Sequence, residues 1–159
     1  MTFSQLSSKK WSEMVPPPRL TDRQWSNVSV LGVVLLVMAA AQLIGFSEFR
    51  SWFVDINVGP ETAWAVGLIA AEVWAGLSFL KLRLTSAFRL VGTGLALAVA
   101  GFWFVENLQL ISGGAASTLT NSGFFGKYFA QAPGWWTAIE ASVLVLWTLY
   151  AVNLVKNKD

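Results

Sequence analysis

Four polar side chains stand inside long apolar runs of this chain: Gln42, Glu72, Glu106 and Glu140. Glu72 is the deepest. It sits within Ile69-Ala70-Ala71-Glu72-Val73-Trp74-Ala75-Gly76, in the middle of an apolar run from about Thr62 to Leu80 that is long enough to cross a bilayer. An ionisable group at the membrane midplane costs a few kcal/mol unless it is paired, hydrogen-bonded or neutral. Carboxyls withdrawn from water and set near one another favour the neutral acid, which donates a hydrogen bond or takes up a proton. That chemistry suits a quinone headgroup or a proton-coupled substrate. The structural alternative is a set of buried acids hydrogen-bonded to neighbouring helices, which fix how a bundle packs.

Composition removes most other chemistry. The 159 residues include no cysteine and no histidine, which excludes disulfide exchange, iron-sulfur ligation, thiolate or imidazole metal sites and His-ligated haem within this chain. No metal-ligand cluster and no nucleophile paired with a base can be assembled, so no catalytic residues are expected and an enzyme is disfavoured. A retinal linkage needs a mid-membrane lysine, whereas Lys81, Lys127 and Lys156 all lie outside the apolar cores. No covalent cofactor is expected. An electron-transfer role would require a bound quinone or a partner subunit, and nothing points to nucleic acid.

The elements that must position these groups follow from hydropathy. Hydrophobic residues make up 55% of the chain and charged residues 13%, and the apolar ones fall in four blocks. The expected fold is all-α: a polytopic membrane four-helix bundle with spans at about 28–44, 62–80, 90–110 and 135–155, and with short amphipathic interfacial helices in the outer loops. A polar tail, 1–27, precedes it, and a short tail, 156–159, follows. Ala39-Ala40-Ala41 has the look of a signal-peptidase site, but the polar region before it is too long, so an uncleaved span is expected. Pro16-Pro17-Pro18 favours an extended tail, with Trp11 and Trp25 as anchors to a partner subunit or to lipid headgroups.

Outside the spans, Lys9, Lys10, Arg19, Arg23, Lys81, Arg83, Arg89, Lys156 and Lys158 fall on one side, against Arg50 and Lys127 on the other. By the positive-inside rule both termini face the cytoplasm, which places the protein in a bacterial inner membrane. Spans one and three then run outward, and two and four inward. At about 1.5 Å per residue Glu72 lies roughly 15 Å below the outer end of its span, and the other three groups about 3 to 9 Å below theirs. All four belong to the middle and outer half. Along their own helices Gln42 aligns with Met38 and Leu35, Glu106 with Phe102, Trp103 and Gln109, and Glu140 with Trp136 and Trp147. Facing inward, they would form a polar pocket walled by tryptophan and phenylalanine.

Both outer connections carry aromatic clusters. Phe46, Phe49, Trp52, Phe53 and Ile56 recur at helical spacing, as in a short amphipathic helix lying in the interface. The second connection passes from the polar run Ser112–Ser117 to Phe124, Phe125, Tyr128 and Phe129, again one-sided. Each forms either an aromatic belt at headgroup level or a lid over a pocket. Gly67, Ala71 and Ala75 in span two, and Gly92, Ala96 and Ala100 in span three, have the four-residue spacing that lets helices approach closely.

The segment Asn121-Ser122-Gly123-Phe124-Phe125-Gly126-Lys127-Tyr128, followed by Gly134-Trp135-Trp136-Thr137 and Glu140, resembles a signature of the MauE branch of the DoxX-like membrane proteins. Span two, with Ala71-Glu72 and Ala75-Gly76, and the basic turn leading to Thr85 through Val91 resemble the second span and Thr-Arg turn of DoxX proteins. The resemblance covers about Val28 to Val155. It implies a four-helix membrane protein found beside redox systems, with Asn121, Gly123, Phe125 and Gly126 forming a family turn. Where the MauE pattern has two cysteines this chain has Ser122 and Phe124, so dithiol chemistry does not carry over.

Three functions compete. One is a non-catalytic accessory or assembly subunit, bound to other membrane subunits through its tail and apolar flank and otherwise to the lipid bilayer. Another is a quinone- or lipid-binding redox component using Glu72. The third is a small proton-coupled exporter, which ranks last because small four-span exporters carry their acid in span one, where this chain has Gln42.

Overall fold

The computed structural model describes residues 13–113, 119–128 and 130–156. Among them are five helices and one two-stranded ladder: β1 (Met14–Val15), α1 (Asp22–Ile44), α2 (Phe46–Asp55), α3 (Glu61–Ser78), β2 (Leu84–Thr85), α4 (Ser86–Ser112) and α5 (Trp135–Lys156). The four longest helices form a ring: α1 packs on α3, α3 on α4, α4 on α5, and α5 closes more lightly on α1. The short helix α2 lies across one end, mainly on α3.

Three of these helices, α1, α4 and α5, are long and apolar enough to cross a membrane, with mean hydropathy of 2.2, 1.7 and 1.7. The expected span at 62–80 differs. Its helix runs over Glu61–Ser78, 18 residues, and Glu61 in the first turn and Glu72 in the middle lower its hydropathy below that of the other three.

The first helix begins earlier than the apolar pattern implies, because a local hydrogen-bonded box starts it. Thr21 Oγ1 accepts from Gln24 N at 3.3 Å, and Gln24 Oε1 accepts from Thr21 N at 3.0 Å, satisfying two orphan donors reciprocally. Trp25 is thereby drawn into the core, 7% exposed, with Lys81 Nζ 6.0 Å from its ring centroid, and does not serve as an outward anchor. Trp11, Lys9, Lys10, Phe129 and Lys158 lie outside the described residues. The described part of the tail, expected to be held by a partner subunit or by headgroups, pairs with the chain itself: Met14 with Thr85 and Val15 with Leu84 in antiparallel register. Thr85 has a second task, accepting from Phe88 N at 3.1 Å to cap α4.

Of the set Gly67, Ala71 and Ala75 singled out by spacing in span two, Ala75 is fully buried, but the closest helix contact is at Gly76 beside it. A Cβ on Gly76 would meet Leu36 at 2.7 Å and the Gly32 carbonyl at 2.9 Å, and one on Gly32 would meet the Gly76 carbonyl at 2.8 Å. Here α1 and α3 touch backbone to backbone. Gly67, by contrast, has open space around it. The stripe on α4 is as expected: Gly92, Ala96 and Ala100 are all buried, with Gly92 set against Ser78.

Replacing Gly76 with leucine therefore overpacks the α1–α3 contact, with an expected loss of about 1–3 kcal/mol. Gly67→Ala adds a methyl in open space and gains up to about 1 kcal/mol of helix propensity. Thermal unfolding of the two purified variants in one detergent should place their midpoints on opposite sides of the parent protein.

Candidate functional site

Glu72, on the inner face of α3, has no solvent exposure. Its Oε1 accepts two hydrogen bonds, from Gln42 Nε2 of α1 at 3.2 Å and from Trp103 Nε1 of α4 at 3.0 Å. Gln42 Nε2 also donates to the Phe124 carbonyl at 3.0 Å. Asn107, one turn beyond Trp103, donates its Nδ2 to the Trp103 carbonyl at 2.9 Å. Three helices and one loop thus meet on a carboxyl group with every side chain involved fully buried.

The centre is covered by rings. Phe49, Trp52 and Phe53 of α2 are 1%, 3% and 0% exposed, so this aromatic face is turned into the protein and not toward headgroups. Trp52 lies 5.5 Å from Trp103 between centroids, and Phe124 stacks on Trp103 at 4.9 Å. Ring pairs of this geometry add to the burial of their surface and exclude water from what lies beneath.

The connection between α4 and α5 has turns at 123–128 where a short amphipathic helix was expected, and no helix among the described residues. Asn121 builds them: its Oδ1 accepts from Gly123 N at 2.9 Å and its Nδ2 donates to the Gly126 carbonyl at 2.9 Å. Gly123 and Gly126 have φ of +84° and +58°, where a side chain is strained. Both also lie against other elements. A Cβ on Gly123 would stand 2.8 Å from the Trp52 indole, and one on Gly126 would stand 3.1 Å from the Ala41 carbonyl. The turn is shaped to fit onto α2 and the end of α1, which delivers the Phe124 carbonyl to Gln42. Phe125 is half-buried and packs against the core.

The other polar groups stand apart. Glu106 and Glu140 are half-buried and make no hydrogen bond to the Glu72 cluster. Trp136 is 64% exposed on α5 and takes no part in the aromatic cover. Of the groups named from sequence, then, Gln42, Glu72 and Trp103 come together. Trp103 was grouped with Glu106 on its own helix but reaches across to α3. Asn107 and the Phe124 carbonyl were not anticipated; the four-residue step from Trp103 to Asn107 carried a signal for the first, and nothing in residue type signals the second.

Two cavities lie outside the centre, and neither is lined by Glu72 or its hydrogen-bond partners. An apolar cleft of about 330 Å³ between α3 and α4 is walled by Trp64, Leu68, Ala71, Val99 and Phe102. A polar one of about 280 Å³ lies between α2 and the segment around the turn, lined by Glu48, Asp55, Asn121 and Lys127. There Ser47 Oγ donates to Glu48 Oε2 at 2.7 Å and Lys127 Nζ to Glu48 Oε1 at 2.9 Å. Together these hold the exposed Glu48 carboxyl down at about 2, against an ordinary 4.5, and the same contact pushes the Lys127 amine up. Among the described residues no group of His, Cys, Asp and Glu could hold a metal ion. Comparison with family models, curated proteins and solved structures finds no match to this chain.

Two outcomes follow. Trp103→Phe keeps the ring and removes one donor from a buried carboxyl, so it should cost about 1–3 kcal/mol. Trp136→Phe on the exposed face should cost little, and chemical denaturation monitored by circular dichroism compares them. Because the Glu48 value is depressed on folding, its contribution is complete above the ordinary glutamate value and is lost as pH falls toward 2. The Glu48 side-chain carboxyl resonance should titrate well below a free glutamate, and Lys127→Met should move that midpoint part of the way back.

Proposed function

We propose that this is an integral membrane protein of four spans, with α3 as the fourth, that acts as a non-catalytic accessory or assembly subunit of a membrane complex. At about 1.5 Å per residue α3 is about 27 Å long, close to the hydrocarbon thickness. Of its two acids, Glu61 lies in the first turn and Glu72 is enclosed by protein, so the midplane acid does not meet lipid. Arg19, Arg23, Lys81, Arg83 and Lys156 cluster toward one end of the bundle, with Arg50 and Lys127 at the other. That asymmetry favours an inner-membrane protein with both ends of the chain cytoplasmic.

One observation carries the accessory reading: Glu72, the group best suited to chemistry, is consumed in joining α1, α3 and α4 beneath a closed aromatic cover. Its role is to hold helices together. The outward faces are correspondingly apolar. On α5, Trp135, Ile139, Val143 and Leu146 are all more than half exposed, a face suited to lipid or to another subunit. The DoxX-like resemblance belongs to the same proposal. In this reading Phe124 stands where the MauE pattern has its second cysteine, and fills that place by stacking on Trp103.

In native gels of membranes solubilised in mild detergent, the chain should migrate within a larger complex that is lost or shortened when its gene is deleted. A chain that runs alone, with every other complex unchanged, rejects the proposal. A second reading, a quinone- or lipid-binding component, is favoured by the apolar cleft between α3 and α4 and by the lack of a partner on Glu72 Oε2 among the described residues. It expects Glu72→Gln to weaken quinone binding about tenfold, the worth of one hydrogen bond. An unchanged isotherm removes it.

A further inference from the structure

The donors around Glu72 do not balance its acceptors. Oε1 takes both hydrogen bonds, while Oε2, equally buried, takes none among the described residues. Gln42 is in the same condition: its Nε2 donates to Glu72 Oε1 and to the Phe124 carbonyl, and its Oε1 accepts nothing among the described residues. Reversing the amide does not help, because it would set the amide oxygen against two other oxygens. Each bare oxygen shares its Cδ with an atom of the 3.2 Å bond that already joins the two side chains. A buried acceptor left bare costs about 1–3 kcal/mol, and this pair holds two.

A carboxylic acid and a primary amide are complementary: the amide N–H meets the acid carbonyl, and the acid O–H meets the amide carbonyl. The first of these bonds is present, and one hydrogen supplies the second. We propose that Gln42 and Glu72 form a proton-binding site, in which one proton joins Glu72 Oε2 to Gln42 Oε1, and that this proton holds the Asn121–Gly126 turn on the bundle. The link to the turn is Gln42 itself, whose second N–H is the side-chain donor to the Phe124 carbonyl. Loss of the proton leaves a carboxylate oxygen facing an amide oxygen in a fully buried site. Gln42 must then turn its donors to Glu72, and the Phe124 carbonyl is released.

Among the described residues no other charge answers for Glu72. From Trp25 to Ile44, α1 has no titratable residue, and Asp22 and Arg23 stand at its far end. The α2 groups Glu48, Arg50 and Asp55 are exposed, with Glu48 paired to Lys127 of the turn; Tyr128 is exposed as well. On α4, Glu106 is half-buried, and Arg89 lies at the opposite end donating to the Leu82 carbonyl. On α5, Glu140 is half-buried.

The inference rests on the enclosed Glu72 site of the accessory reading, but it is tested on the purified full chain, so a missing partner and a missing proton are separate failures. Glu72→Gln is the decisive variant. Its amide keeps an oxygen for Trp103 and Gln42 and adds a fixed N–H for Gln42 Oε1, so it reproduces the proton-bound state at every pH. In nanodiscs, the infrared difference between the parent protein and Glu72→Gln should contain a protonated-carboxyl band that vanishes as pH is raised. Hydrogen exchange of the amides at 121–128, corrected for intrinsic rates, should rise about tenfold over the same pH interval in the parent protein and stay flat in Glu72→Gln. Gln42→Leu should exchange fast in the turn at every pH. Turn exchange that rises equally in the parent and Glu72→Gln, or that ignores loss of the band, overturns the proposal, as does a band absent already at acidic pH.

Discussion

A carboxyl group in an apolar interior has to be answered by donors, and in this protein the answer determines the layout. Glu72 Oε1 requires an N–H from α1 and another from α4 at about 3 Å, so α1, α3 and α4 have to be brought to one depth and one rotation. A bundle held only by apolar surface could slide or rotate with little penalty, since one leucine against another is much like the next. Two directional bonds to one oxygen remove that freedom. The backbone contact at Gly32 and Gly76 then follows as the place where α1 and α3, so aligned, cross most closely.

The outer layer is a response to the same constraint. Donors to Glu72 are useful only where water does not compete for them, and the ends of helices are wet unless something lies over them. Here α2 and the Asn121–Gly126 turn supply that cover, one through its rings and the other through a carbonyl. The unusual backbone of the turn has a spatial cause. Gly123 lies against an indole and Gly126 against the end of α1, and neither position has room for a side chain.

Residue pattern alone located much of this. The long helices, the absence of thiol and imidazole chemistry, and Gln42, Glu72 and Trp103 as candidates are all readable from hydropathy and residue type. Depth was misread for a definite reason. Distance from a helix end sets relative level only if all helices end in one plane and side chains are short, and Gln42, near the end of α1, bonds Glu72, deep in α3. Helical periodicity likewise assigns a side chain to a face but not to a neighbour, so Trp103 was placed with Glu106 when its N–H crosses to α3. Phe124 was counted as a ring, yet half of its contribution is a main-chain oxygen, which no side-chain pattern encodes. Glycine spacing identified the α4 stripe but chose Gly67 over Gly76 in α3, because adjacent faces of one helix share the same interval.

The small ladder between Met14–Val15 and Leu84–Thr85 bears on the order of events during synthesis. Its two strands are separated by α1, α2 and α3, so the earlier strand leaves the ribosome long before its mate exists. Until Thr85 emerges, Met14 and Val15 lack the strand with which they pair. Closing the ladder also fixes the residue that caps α4. Capture of the segment ahead of α1 and the start of the third long apolar stretch are therefore a single step, a timing mark written into two pairs of residues.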